Sequence, residues 1–345
     1  MSSELAVTML GASGVGKTTL LTSIYEQLEA IGEEVNLQLI PNLETKAILE
    51  ENLQRLKSLE YEMKADPITS GILGTSALSG PDSLPKFNFD LGKKDKKTEC
   101  KLIFRDYPGG YISRKDPRER EFIKTLLREC AVVIIAIDTP AMVEPTIIQG
   151  ENWQPTKNSG KWHEAINQPE EILELFKAAY FKLDEPKLII FAPVKCETYV
   201  QTEGSAKQVQ EYIKKKYAPL LEFFHDSSRA NNLAVVTTPV QTVGCLIFWK
   251  IELEYLNKPR FWFRKKGRDT LYSPQDNDHL LRYFLSFLLK LHNSTLLEQR
   301  SIVLRTIRKT FGGKNEFEQA IAQFAKERKT TAGFGILQGQ QWLNL

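Results

Sequence analysis

The chain has 345 residues, 42% of them hydrophobic and 26% charged, with a formal net charge of +3. A chain of that length can bury a substantial core, as two domains or as one with large insertions. So even a charge balance excludes a protein whose composition alone demands nucleic acid or a membrane surface as its partner.

In chain order, the apolar run 5–10 reads as a buried strand, followed by a Gly-rich turn and a helical pattern over 18–30. Residues 44–63 also have helical spacing, whereas 66–84 is dominated by Gly, Ser, Thr and Pro and reads as a long loop. Residues 86–91 and 100–105 read as a hairpin around the lysine-rich turn 93–97. A helix is expected over 117–129, and the continuous apolar run 131–138 is a central strand. Residues 139–168 are irregular, with Asn167 and Pro169 opening a helix that runs to about residue 182. A strand at 188–194, helix signals over 205–225 and a strand at 233–238 follow. An aromatic and basic segment, 249–272, interrupts this alternation. Asp276 caps an apolar helix ending near 292, and two more helical stretches lie near 295–311 and 315–329. Strands alternating with helices predict an α/β fold, a three-layer sandwich with a mostly parallel sheet. The expected division is a domain over 1–292, with insertions near 40–85, 139–168 and 249–272, and a C-terminal helical extension over 293–345.

Cys100, Cys130, Cys196 and Cys245 form no CxxC pair and read as small, reduced core residues. His163, His225, His279 and His292 have no metal-ligand spacing. No signal peptide is evident, and the longest apolar runs fall far short of the ~20 residues that span a bilayer. A cytoplasmic location is the expectation.

The segment Gly11-Ala-Ser13-Gly14-Val15-Gly16-Lys17-Thr18 matches GxxxxGK[ST] in full and sits between a strand and a helix, where that motif belongs. Its glycines let the backbone N–H groups, Thr19 included, turn inward toward phosphate oxygens, and the helix N-terminus adds its positive dipole end. Lys17 is expected to reach the β- and γ-phosphates, and the Thr18 hydroxyl to ligate Mg²⁺. Downstream, an apolar strand ends in Asp106-Tyr-Pro-Gly109. An aspartate at a strand end holds magnesium through its water shell, and a glycine N–H three residues on can contact the γ-phosphate. The same four residues also make a plain β-turn.

These residues resemble the P-loop GTPase family, in which DxxG opens the second switch loop. In that family an NKxD box reads guanine. Here Lys195 and Glu197 match its lysine and acid, Val194 replaces the asparagine, and glutamate replaces aspartate. A carboxylate accepts from guanine N1–H and the 2-amino group, and repels the N1 acceptor of adenine. Thr237 and Thr238 stand where the last base-side loop is expected. Together with Ile137-Asp-Thr-Pro140 and the segment 238–244, these motifs resemble the bacterial double-GTPase-like group of the TRAFAC class, over about residues 5–292, with a single phosphate loop. Several members of that group are associated with bacterial conflict or defence systems.

The resemblance implies a GTP/GDP-binding switch that hydrolyses GTP with Mg²⁺. Gly110 stands where many such enzymes carry a water-positioning glutamine. Slow intrinsic hydrolysis is therefore expected, accelerated by a protein partner, with Arg114 and Arg118 as nearby cations for transition-state charge. Thr75, with Thr69 as the other choice, is the candidate third ligand of the Mg²⁺ shell. The segment 260–268 mixes three aromatics with five cations. It reads as a nucleic-acid or membrane contact, or as a hairpin with its aromatics on a core face. Two other readings remain open: a P-loop small-molecule kinase or ATPase, and a nucleotide-holding pseudoenzyme scaffold. No LSGGQ signature of an ABC-type ATPase occurs.

Overall fold

The computed structural model describes residues 3–35, 37–65, 68–69, 86–93, 100–106, 109–113, 116–144, 162–254, 258–292 and 315–344. The strands are β1 (Ser3–Leu10), β2 (Leu37–Pro41), β3 (Ile68–Thr69), β4 (Lys86–Lys93), β5 (Cys100–Asp106), β6 (Val132–Asp138), β7 (Lys187–Val194), β8 (Leu233–Thr237), β9 (Leu246–Glu254), β10 (Lys258–Lys265) and β11 (Gly335–Gln338). The helices are α1 (Lys17–Val35), α2 (Leu43–Ala65), α3 (Gly110–Ser113), α4 (Pro117–Glu129), α5 (Thr139–Val143), α6 (Pro169–Ala179), α7 (Glu203–Lys216), α8 (Ala218–His225), α9 (Ser227–Ala230), α10 (Asp278–His292) and α11 (Asn315–Lys326).

Among the described residues the main sheet runs β11-β8-β7-β6-β1-β5-β4-β2. The pairs β1–β5, β1–β6, β6–β7 and β7–β8 are parallel, while β4, β2 and β11 add antiparallel edges. The central strands are apolar on both faces, as strands covered on both sides must be. On β6, Val132 and Ile134 face one core cluster and Val133, Ile135 and Ile137 the other. On β7, Leu188, Ile190, Ala192 and Val194 alternate in the same way with Ile189 and Phe191. The first cluster is closed by α1, α2, α10 and α11, the second by α4, α6, α7 and α8. This is a three-layer α/β sandwich in the P-loop NTPase arrangement, with the Gly-rich loop between β1 and α1.

Local chemistry sets several boundaries. Asp116 caps α4 by accepting from Arg118 N–H, and Pro117 opens the helix with the fixed φ that its first turn needs. Thr202 and Ser205 form a capping box on α7. The helical stretch expected over 205–225 is broken, with α7 ending at Lys216 and Pro219 lying in the first turn of α8. Proline lacks the N–H that a continuous helix would use there.

Three other expectations are corrected. Asn167 does not open α6: the cap position is Gln168, in a left-handed conformation with no side-chain cap, and Asn167 belongs to a π-helical turn, His163–Asn167. Asp276 does not cap α10, which begins at Asp278; its carboxylate pairs with Lys329. The C-terminal segment, expected to be helical, carries a strand as well as a helix. The stretch near 295–311 lies outside the described residues, but Phe317, Ile321 and Phe324 of α11 join the first core cluster, and β11 pairs with β8 at the sheet edge.

The aromatic and basic segment forms the hairpin β9–β10, which β3 extends into a second, three-stranded sheet. Phe263 is buried with Leu56, Val243, Cys245 and Leu246, whereas Arg264 is exposed, the alternation of a half-buried hairpin. All four cysteines are buried. No helix among the described residues is long and apolar enough to cross a membrane.

Candidate nucleotide-binding site

Parallel strands bring their C-terminal ends to one edge of the sheet, the edge where open α/β sheets bind ligands. There β1 ends at Leu10, β5 at Asp106, β6 at Asp138, β7 at Val194 and β8 at Thr237. The register pairs Met9 with Asp106 and Asp138 with Val194. The loop 11–16, the two aspartates and the base-side loops are thus neighbours by topology.

The loop depends on its glycines where the backbone is tightest. Gly14 and Gly16 have φ of +81° and +111°, a region that costs other residues strain. A Cβ on Gly11 would lie 2.9 Å from the Ala136 carbonyl oxygen. Ser13 and Gly14 are exposed, Thr18 and Thr19 half-buried, and Val15 is buried against Ala12, Ala136 and Ile166. Lys17 is buried, and its Nζ donates to the Gly11 and Ala12 carbonyls at 2.9 and 3.2 Å. Its ammonium is thereby folded against the loop that phosphates would occupy.

Asp106 is also buried, and its Oδ2 accepts from Thr18 Oγ1 at 3.0 Å. Burial pushes the Asp106 carboxyl up and the Lys17 ammonium down, each opposed by the other's charge. Asp106 Oδ1 is buried with no hydrogen-bond partner. Such an orphan oxygen next to a hydroxyl fits a hard divalent cation. Among the described residues no group of three or more His, Cys, Asp or Glu could hold a metal. A Mg²⁺ here would draw on Thr18, Asp106, phosphate oxygens and water, the ligand mixture that magnesium favours.

Gly109 lies on the loop itself. A Cβ there would be 2.0 Å from Ser13 N and 2.1 Å from the Ala12 carbonyl carbon, so only glycine allows this approach. Gly110 begins α3, and Tyr111 and Ile112 are buried in the second core cluster. No side chain of that short helix's start is therefore offered as a water-positioning group. Arg118 is exposed at the start of α4, and Arg114 lies outside the described residues. Thr75 also lies outside them, while Thr69 pairs with Phe263 in the small sheet.

On the base side, Lys195 has φ +59° and its Nζ donates to Asp138 Oδ2 at 2.5 Å and to the Gly14 carbonyl at 3.3 Å. Glu197 is buried, and its Oε1 accepts from the N–H groups of Val243 and Gly244 at 2.8 and 3.1 Å. Burial raises the Glu197 carboxyl, and those two donors pull against the rise by favouring the charged form. Gly244 is required at its position: φ is +75° and a Cβ would meet the Ser273 carbonyl oxygen at 1.8 Å. Thr238 is fully buried, and its hydroxyl has no partner. Thr237 instead accepts from Gln210 and donates to the Gly333 carbonyl, which makes it a strut to the C-terminal segment.

The structure thus gathers residues 11–19, Asp106, Gly109, Lys195, Glu197 and Thr238 along one edge. It adds residues to which sequence reading gave no role at the site, Asp138, His163 and Asn167. Asp138 had a signal, since it ends an apolar strand as Asp106 does. Asn167 had none, because its partner Asp138 stands 29 residues away along the chain.

No protein-family model matches the sequence, and no curated protein sequence matches it. Among solved structures, the signal recognition particle receptor SRb-GTP/SRX complex from Chaetomium thermophilum matches at 12% identity, over 71% of this chain and 93% of that one, with a TM-score of 0.38. The S. cerevisiae Ski7 GTPase-like domain, bound to GTP, matches at 15% identity and a TM-score of 0.38, over 70% of this chain but only 43% of that one.

Proposed function

We propose that the chain binds GTP together with Mg²⁺ and hydrolyses it slowly as a regulatory switch. The observation that carries this reading is the convergence of the Lys17 ammonium, the Thr18 hydroxyl and the Asp106 carboxylate, one of its oxygens orphaned, beneath a complete phosphate loop.

The loop N–H groups and the start of α1 bind the phosphates, and Lys17 turns from the loop carbonyls toward the β- and γ-oxygens. Bound Mg²⁺ would neutralise charge that builds on those oxygens during hydrolysis. Thr18 and Asp106 would hold that ion. Gly109, packed on the Ala12–Ser13 peptide, presents its N–H beside the γ-phosphate position and carries its presence or loss to the segment that follows. With Gly110 in the glutamine position and Tyr111 buried, attacking water is held by a group from a protein partner or from outside the described residues. Membership of the double-GTPase-like group, with its link to bacterial conflict systems, is part of this proposal and rests on the four sequence motifs.

Single-turnover phosphate release from GTP tests the reading. The wild-type chain should hydrolyse slowly, at about the ~10⁻⁴–10⁻² s⁻¹ of unassisted P-loop switches, and Mg²⁺ removal or Lys17→Ala should abolish turnover. Turnover that survives Lys17→Ala would contradict it, as would transfer of the phosphoryl group to a small-molecule acceptor.

A further inference from the structure

We infer that Asn167, carried by the π-helical turn before α6, is a positioning residue of the nucleotide site and supplies the amide that the base motif lacks at Val194. The inference deepens the nucleotide-binding reading and rests on it.

Val194 has only a buried isopropyl group at the motif's first position, in the first core cluster. An amide reaches the adjacent strand end from elsewhere. Asn167 is 1% exposed; its Oδ1 accepts from the Asp138 N–H at 2.7 Å and its Nδ2 donates to the Asp138 carbonyl at 3.1 Å. A backbone N–H only donates and a carbonyl only accepts, so the amide has one possible orientation. Its remaining hydrogen points to His163 Nδ1 at 3.1 Å, which fixes that nitrogen as an acceptor and puts the ring proton on Nε2. The side chain thereby pairs with both backbone groups of Asp138.

What Asn167 fixes is the residue that organises the base side. Asp138 Oδ1 caps α5 by accepting from Ala141 N–H at 2.9 Å, and Oδ2 holds the Lys195 ammonium. Lys195 in turn spans to the Gly14 carbonyl in the phosphate loop. The same turn makes a second, independent contact with that loop, through Ile166 packed on Ala12, Val15 and Ala136. The path Asn167–Asp138–Lys195–Gly14 therefore joins the insertion to the loop by hydrogen bonds, and Ile166 joins it by packing. Single π-turns of this kind concentrate at functional sites.

A double-mutant cycle on the full chain tests the inference. GDP and GTP affinity would be measured by calorimetry with Mg²⁺ for wild type, Asn167→Ala, Lys195→Ala and the double variant. Loss of such an outer positioning group typically costs about tenfold in affinity. Asn167→Ala should show that loss in the wild-type background and less than about a twofold further loss in the Lys195→Ala background, since the two act on one path. Should the alanine variant not fold, Asn167→Asp keeps the acceptor toward Asp138 N–H and removes both donors, and the same pattern is expected. Equal losses in both backgrounds would overturn the inference and leave Asn167 as a fold-supporting residue, as would unchanged affinity. A wild-type chain that binds neither nucleotide would overturn the underlying site reading, an outcome visible before any variant is compared.

Discussion

The buried polar groups of the site differ in how far their surroundings have already committed them. Glu197 Oε1 is held by two backbone donors, so the base contact proposed for this residue would fall to Oε2. His163 is committed as a neutral ring: burial holds it down at about 4 from an ordinary 6.5, with Lys216 adding to the fall and Glu164 opposing it. Because the folded value lies below the unfolded one, the unfolded chain takes up the proton first. Stability from this group is complete above about pH 6.5 and is lost as the pH falls toward 4. Urea unfolding should show a loss on the order of 2 kcal/mol between pH 7 and pH 4.5 from this residue. A His163→Gln variant, which keeps an acceptor but does not titrate, should lose correspondingly less. An identical pH dependence in wild type and variant would show that His163 is not the group responsible. At this scale the sequence was legible where chemistry is local, as in Lys17, Thr18 and Asp106. It gave no site role to Asn167 or His163: the partner of Asn167 is Asp138 on β6, and His163 bonds Asn167 and packs on Tyr217, contacts that only the tertiary fold creates.

Among the elements, the segment from β5 into α3 is the one most tightly tied to the phosphate loop. A Cβ on Gly109 would lie 2.0 Å from Ser13 N and 2.1 Å from the Ala12 carbonyl carbon, and these are backbone atoms rather than the end of a flexible side chain that could yield. Gly109→Ala must therefore push the β5–α3 segment off the loop, at an overpacking cost of about 1–3 kcal/mol. The expected result is a measurable drop in urea midpoint together with loss of GTP hydrolysis. A variant with wild-type turnover would show that this contact has no part in the site. The strands β1, β6, β7 and β8 were readable from their apolar runs, β4 and β5 as a hairpin around the lysine-rich turn, and α4 as a helix over 117–129. The break between α7 and α8 was missed because the apolar spacing carries on through it, although Pro219 marked the place. Thr139–Val143 escaped notice because a five-residue helix has too few turns for periodicity to register.

Across the whole molecule, one sheet organises both ends of the chain. The site lies at the ends of its parallel strands, and the C-terminal segment closes its far edge. Trp342 packs on Phe287 of α10, and its indole N–H donates to the Asn231 carbonyl at 2.7 Å. Within 293–345 the strand β11 was not readable, because at four residues it is too short to show a strand pattern without the β8 edge beside it. The hairpin of the second sheet, by contrast, was one of the readings that the aromatic and basic segment 260–268 left open. The central claim is that this assembly selects a guanine nucleotide through Glu197 at the end of β7. Calorimetry with Mg²⁺ on the full chain, comparing GTP, GDP and ATP with and without Glu197→Ala, tests it most directly. The account predicts a preference for the guanine nucleotides over ATP of at least about tenfold, which follows from the ~1–3 kcal/mol that an unsatisfied buried polar group costs, and its disappearance in the variant. Equal or tighter binding of ATP by the wild-type chain would contradict it and leave the phosphate loop as the only part of the site accounted for.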